Sequence, residues 1–133
     1  MSIRTEGARL KVDPGRTLLI VEDSQDVRKI FLEAFQNEGY QVLEAQNGRE
    51  AYDLMMSFGK LVNVVLTDLR MPVMDGLEFA ALLKSDPRFS RIPVVLLSAT
   101  PMKNSWKALD VFSALLVKPC SLSVLVRTVQ SVQ

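Results

Sequence analysis

Five polar groups carry the chemistry open to this sequence: the acidic pair Glu22-Asp23, then Asp68, Ser98 and Lys118. Each one closes or follows a short apolar run: TLLIV, NVVLT, IPVVLL and SALLV. Taken singly, they have ordinary uses. Acids are favoured near a helix N-terminus, an Asp starts a turn, a hydroxyl ends a strand, and a lysine is solvated. Together they are costly, because two like charges about 4 Å apart repel by about 4 kcal/mol at an effective dielectric near 20. Three clustered carboxylates multiply that cost unless a cation sits among them. With no histidine in the chain, oxygen donors suit a hard ion, and Mg²⁺, which keeps several waters and usually brings phosphate, is the natural one. Asp68 beside such a metal is a carboxylate nucleophile able to take a phosphoryl group as an acyl phosphate. The Ser98 hydroxyl and the Lys118 ammonium would then bind the phosphoryl oxygens together with the metal.

The elements that must deliver these groups follow from the hydrophobic pattern. TLLIVE (17–22), YQVLEA (40–45), NVVLT (63–67), IPVVLLS (92–98) and SALLV (113–117) read as strands. Between them, Val27, Ile30, Phe31, Ala34 and Phe35 recur at helical spacing before Gly39, and Asn47 with Glu50 caps a helix that puts Ala51, Leu54, Met55 and Phe58 on one face. A third helix spans 76–84 and ends at Asp86-Pro87, and Thr100-Pro101 opens a fourth carrying Met102, Trp106 and Leu109. Ser121 caps a fifth, whose Leu122, Leu125, Val126 and Val129 face inward. Five strands alternating with five helices imply an α/β domain with a doubly wound, five-stranded parallel sheet covered on both faces. Ligands on such sheets sit beyond the carboxyl ends of the strands, where all five polar groups arrive. Residues 1–16, MSIRTEGARLKVDPGR, read as a flexible leader, and 17–133 as the single domain.

Composition bounds the alternatives. The chain has 133 residues, 48% hydrophobic and 23% charged, with sixteen basic residues against fifteen acidic. That size supports one core, and no run of like charge marks a nucleic-acid or membrane partner. Zero histidines remove Ser-His-Asp and Cys-His catalysis and His-ligated zinc. One cysteine, Cys120, forms no internal disulfide, and no segment has the length of a membrane span or the layout of a signal peptide. Cytoplasm is the default location.

At these positions the sequence resembles the receiver domains of bacterial two-component response regulators, including the single-domain chemotaxis type. The resemblance runs from 17 to about 131. It is carried by IVEDS with Glu22 and Asp23, LTDLRMPVMDG with Asp68, LLSAT with Ser98 and Ala99, and LVKPC with Lys118 and Pro119. It implies the flavodoxin-like strand order 2-1-3-4-5 and a cis bond before Pro119. It also implies Mg²⁺ held by Asp23, Asp68 and the backbone carbonyl of Arg70, with Glu22 helping through water. The implied role is a regulatory phosphoacceptor rather than an enzyme acting on other substrates. Its phosphoryl group would come from a histidine kinase or a histidine phosphotransfer protein, and its output would pass to a protein target or through a homodimer. Two departures stand out: Leu115 occupies the place of a Tyr or Phe three residues before the lysine, and Val111-Phe112-Ser113 replaces a Gly-Ala-Asp-like run.

Other readings fit less well. A flavin mononucleotide binder needs hydroxyls and glycines in its first loop, where this chain has Glu-Asp-Ser-Gln-Asp at 22–26. A haloacid-dehalogenase-type phosphatase expects a second Asp at position 70, which is Arg. A receiver fold kept as a phosphorylation-independent interaction module is the remaining alternative, suggested by Leu115 and opposed by the intact Asp23, Asp68, Ser98 and Lys118.

Overall fold

A computed structural model describes residues 16–99 and 110–133. The apolar runs form strands β1 (Thr17–Val21), β2 (Gln41–Ala45), β3 (Val64–Asp68), β4 (Val94–Ser98) and β5 (Ala114–Val117). They pair in parallel in the order β2-β1-β3-β4-β5, the order implied by the resemblance to receiver domains. The chain leaves β1 for β2 on one side and returns to β3 on the other, so the strand order reverses between β1 and β3.

Helices α1 (Gln25–Asn37), α2 (Gly48–Phe58), α3 (Gly76–Ser85) and α4 (Leu122–Ser131) cover the sheet. Side chains of Ser24, Asn47, Asp75 and Ser121 cap them by accepting from the backbone N–H of Val27, Glu50, Glu78 and Val124. Asp75 and Glu78 cap each other reciprocally, satisfying two of the four orphan donors of that helix start. The expected helix opening at Thr100-Pro101 lies outside the described residues, as do leader residues 1–15.

The two-residue period of the strands divides the interior. Leu19, Val21, Val65 and Leu96 pack with Ala51, Met55, Phe79 and Leu83 under α2 and α3. Leu18, Ile20, Leu66 and Val95 pack with Phe35, Leu125 and Val129 under α1 and α4. β1, β3 and β4 are buried almost throughout, whereas β2 and β5 are partly exposed edges. The Phe35 and Tyr40 rings meet edge to face at 5.5 Å.

Three residues expected inside are largely exposed: Ile30, Phe58 and Leu122. The core beside the end of α2 is filled by buried Phe89, whose ring lies against Gly59, so Phe58 turns outward. Ile30 and Leu122 line an open groove of about 600 Å³ between α1 and α4, which the two helices do not close. Among the described residues, no helix is long and apolar enough to cross a membrane.

Candidate functional site

Parallel pairing of β1 with β3 places Val21 opposite Thr67, so the next residues, Glu22 and Asp68, emerge side by side. Carboxylate oxygens of Glu22, Asp23 and Asp68 lie within 4.8 Å of one another. Lys118 reaches over from the end of β5, its Nζ 3.3 Å from Asp68 Oδ1 and 3.7 Å from Glu22 Oε1. Thus four of the five sequence-predicted side chains converge on one spot. Ser98 ends β4, buried, and its carbonyl accepts the Lys118 backbone N–H at 2.8 Å. The Lys118–Pro119 bond is cis. Arg70 lies exposed on the loop that follows β3.

Glu22 is held from several directions. Its N–H donates to Ala45 O at 3.0 Å, and its Oε2 accepts the Ser24 N–H at 2.9 Å. Its carbonyl accepts Arg28 Nη1 at 2.7 Å. Only 3% of the residue is exposed, and Oε1 is buried without a hydrogen-bond donor. Burial therefore pushes the Glu22 carboxyl above its ordinary range; the Ser24 N–H and the Lys118 charge oppose this, while the Asp68 charge adds to it.

The phosphoacceptor candidate is fixed through its backbone. The buried Thr67 hydroxyl donates to Asp68 O at 2.8 Å. Gly76 packs so closely on that same carbonyl that a Cβ there would stand 2.1 Å from it. The intervening loop is tied down by Gly76 N–H to Leu69 O at 2.8 Å and by Gly48 N–H to Met74 O at 2.9 Å. Its tip is a γ-turn in which Met74 N–H donates to Pro72 O at 2.8 Å and Val73 takes φ 71°, a costly conformation for a β-branched residue. Behind Lys118 an apolar cleft of about 460 Å³ is lined by Val27, Phe31, Leu97, Ala99, Pro119 and Cys120.

The family model for the response regulator receiver domain matches residues 18–130. The chain belongs to the response regulator receiver domain family. Among related receivers, the polar-differentiation response regulator DivK of Brucella anthropi is 30% identical over 118 residues, covering 87% of this chain and 94% of that protein. Chemotaxis protein CheY1 of Helicobacter pylori is 37% identical over 82 residues, or 61% of this chain and 65% of that protein. The solved structure of chemotaxis response regulator CheY4 of Vibrio cholerae superposes with a TM-score of 0.81 at 28% identity, covering 89% of this chain and 98% of that one. A Borrelia burgdorferi CheX-CheY complex with BeF3 and Mg²⁺ gives 0.80 at 25% identity, covering 88% of each chain. This receiver domain therefore has the fold and family of two-component and chemotaxis regulators.

The roles of Thr67 and Arg28 escaped the sequence reading, and Gly76 was seen only as the start of the helix at 76–84. A glycine eight positions after the acceptor was visible, but the carbonyl it covers was not. Arg28 gave no signal, because its partner Glu44 lies on another element.

Proposed function

We propose that this receiver domain accepts a phosphoryl group on Asp68 from a histidine kinase or a histidine phosphotransfer protein and thereby switches its hold on a protein target. Residues 17–133 form the acting unit, with 1–16 as a leader. The observation that carries the reading is the convergence of Glu22, Asp23 and Asp68 within 4.8 Å, with Lys118 Nζ 3.3 Å from Asp68. The residues fit a cation: all donors are hard oxygens, and Glu22 Oε1 is a buried acceptor without a donor. Asp23, Asp68 and the Arg70 carbonyl would hold Mg²⁺, with Glu22 acting through water. When bound, it supplies positive charge to the phosphoryl oxygens and to the crowded carboxylates.

In the transfer, a carboxylate oxygen of Asp68 attacks phosphorus, an O–P bond forms, and the P–N bond of the donor phosphohistidine breaks. Lys118 neutralises charge gathering on the transferred group, and its ammonium is already within reach of the attacking carboxylate. The fixed carbonyl of Asp68 limits reorientation of the nucleophile during attack. The Ser98 hydroxyl gains a charge-assisted hydrogen bond to the phosphoryl group, which biases the β4 end toward a second state. Half-buried Leu115, on edge strand β5 and packed against the α2–α3 side of the core, cannot swing as an aromatic ring would. The consequence is weak transmission toward β5 and α4, with output through the loop itself or through self-association.

The test is intact mass after incubation with a small phosphodonor and Mg²⁺. One added phosphoryl group, labile at alkaline pH and absent in Asp68→Asn, is the expected result. Label persisting in that variant would put the site elsewhere. No label on either protein would leave a phosphorylation-independent interaction module.

A further inference from the structure

We propose that Arg28 is a positioning residue for the cation site, setting the direction in which Asp23 presents its carboxylate beside that of Glu22. Arg28 projects from α1, and its guanidinium divides between two acceptors: Nη1 donates to the Glu22 carbonyl at 2.7 Å, and Nε to Glu44 Oε1 on β2 at 3.1 Å. Its side chain is 16% exposed, against 40% for Glu44. A long cationic side chain loses much rotamer freedom when held, which two charge-assisted contacts offset.

The Glu22 carbonyl belongs to the peptide plane that leads into Asp23. Asp23 is exposed and lies two residues past the end of the paired strand, where no ladder bond restrains it. Glu22 is already oriented by the Ala45 carbonyl on one side and the Ser24 N–H on the other. The contact from Arg28 is what fixes the plane between the two acids. Glu44 in turn holds the guanidinium against that plane, so β2, α1 and the acidic loop become one unit. This inference rests on the reading of the cluster as a Mg²⁺ site.

Charge and positioning predict opposite signs here. Removing a positive charge one peptide away from a cation site should tighten Mg²⁺ binding by simple electrostatics. Loss of an outer support for metal ligands should weaken it, typically about tenfold or more. The experiment is a Mg²⁺ titration followed by backbone amide shifts of residues 22–24 and 68–70, for the parent, Arg28→Met and Arg28→Lys, with thermal melts showing that each variant is folded. Arg28→Met should bind Mg²⁺ about tenfold more weakly. Arg28→Lys, which keeps the charge but not the divided contact, should fall between. Phosphorylation of both variants at saturating Mg²⁺ should return close to the parent rate. Equal or tighter binding by folded Arg28→Met overturns the positioning role and leaves the metal site intact, whereas parent-like binding by Arg28→Lys beside a loss in Arg28→Met overturns only the need for the second contact to Glu44. Absence of Mg²⁺ binding by the parent overturns both the metal reading and this inference.

Discussion

Replacing Glu22 by Gln should make the metal-free protein more stable while weakening its hold on Mg²⁺. The Glu22 carboxylate lies within 4.8 Å of both Asp23 and Asp68, so at an effective dielectric near 20 each repulsion amounts to at least about 3.5 kcal/mol. One attraction opposes them, to Lys118 Nζ at 3.7 Å, of about 4.5 kcal/mol on the same scale. The attraction falls short of the two repulsions together. Exposed Asp23 and a Lys118 side chain that is 33% exposed are screened by water, which leaves about 1 kcal/mol of net repulsion. Burial of Oε1 without a donor adds about 1–3 kcal/mol more. Gln keeps an oxygen for the Ser24 N–H and offers N–H donors to the two aspartates, but its amide is still buried and recovers only part of that sum, so a gain of about 1–2 kcal/mol is expected, or a rise in Tm of about 3–8 °C.

The assay is thermal unfolding with a chelator at pH 7.5, repeated at falling pH. The Glu22 carboxyl is raised in the fold, chiefly by burial. Its favourable contribution is therefore present below the unfolded value near 4.5 and lost as pH rises through the folded one. Acidification toward 4.5 should shrink the gap between parent and variant. Added Mg²⁺ should shrink it too, since a ligand at ten times its Kd stabilises by about 1.4 kcal/mol and the variant binds less. A Glu22→Gln protein less stable than the parent at pH 7.5 without metal would refute this electrostatic reasoning.

Gly76→Ala should lower stability by about 1–3 kcal/mol and disturb the Asp68 amide, because the new Cβ meets Asp68 O at 2.1 Å; an unchanged melt would show that the loop yields freely. Val73→Gly should raise stability by about 0.5–1 kcal/mol, the relief of a β-branched residue at φ 71° outweighing the added freedom of the unfolded chain; chemical denaturation that shows a loss would contradict it. With Mg²⁺ and a beryllofluoride phosphoryl mimic, backbone NMR shifts should be large near Asp68 and Ser98 and small across 113–130; large cooperative shifts in 113–130 would show that Leu115 transmits the switch.

The strands themselves and the meeting of the acids were legible because both follow from periodicity, whereas the order of the strands came from the resemblance to receiver domains. Buried parallel strands such as TLLIV and VVLTD read as unbroken apolar runs, and a doubly wound sheet leaves one edge at which their polar ends can gather. Caps were legible for the same local reason, as with Asn47 and Glu50. Ile30, Phe58 and Leu122 were misplaced because helical spacing marks a face without saying where the neighbouring elements stop covering it. The backbone fixation of Asp68 depends on a glycine meeting a carbonyl eight residues away, and the Arg28 contacts join α1 to β2. Neither leaves a periodic trace. Val73 sits in a sequence, MPVMDG, that signals a turn but not the sign of φ.

The most direct measurement is chemical trapping of the acyl phosphate: incubation with a small phosphodonor and Mg²⁺, reduction with borohydride, and peptide mapping by mass spectrometry. Reduction at Asp68 alone, converting it to homoserine, is expected, with little or none when a chelator replaces Mg²⁺. Reduction at Asp23, at Glu22 or at any other carboxylate, or equal reduction with the chelator present, would contradict it.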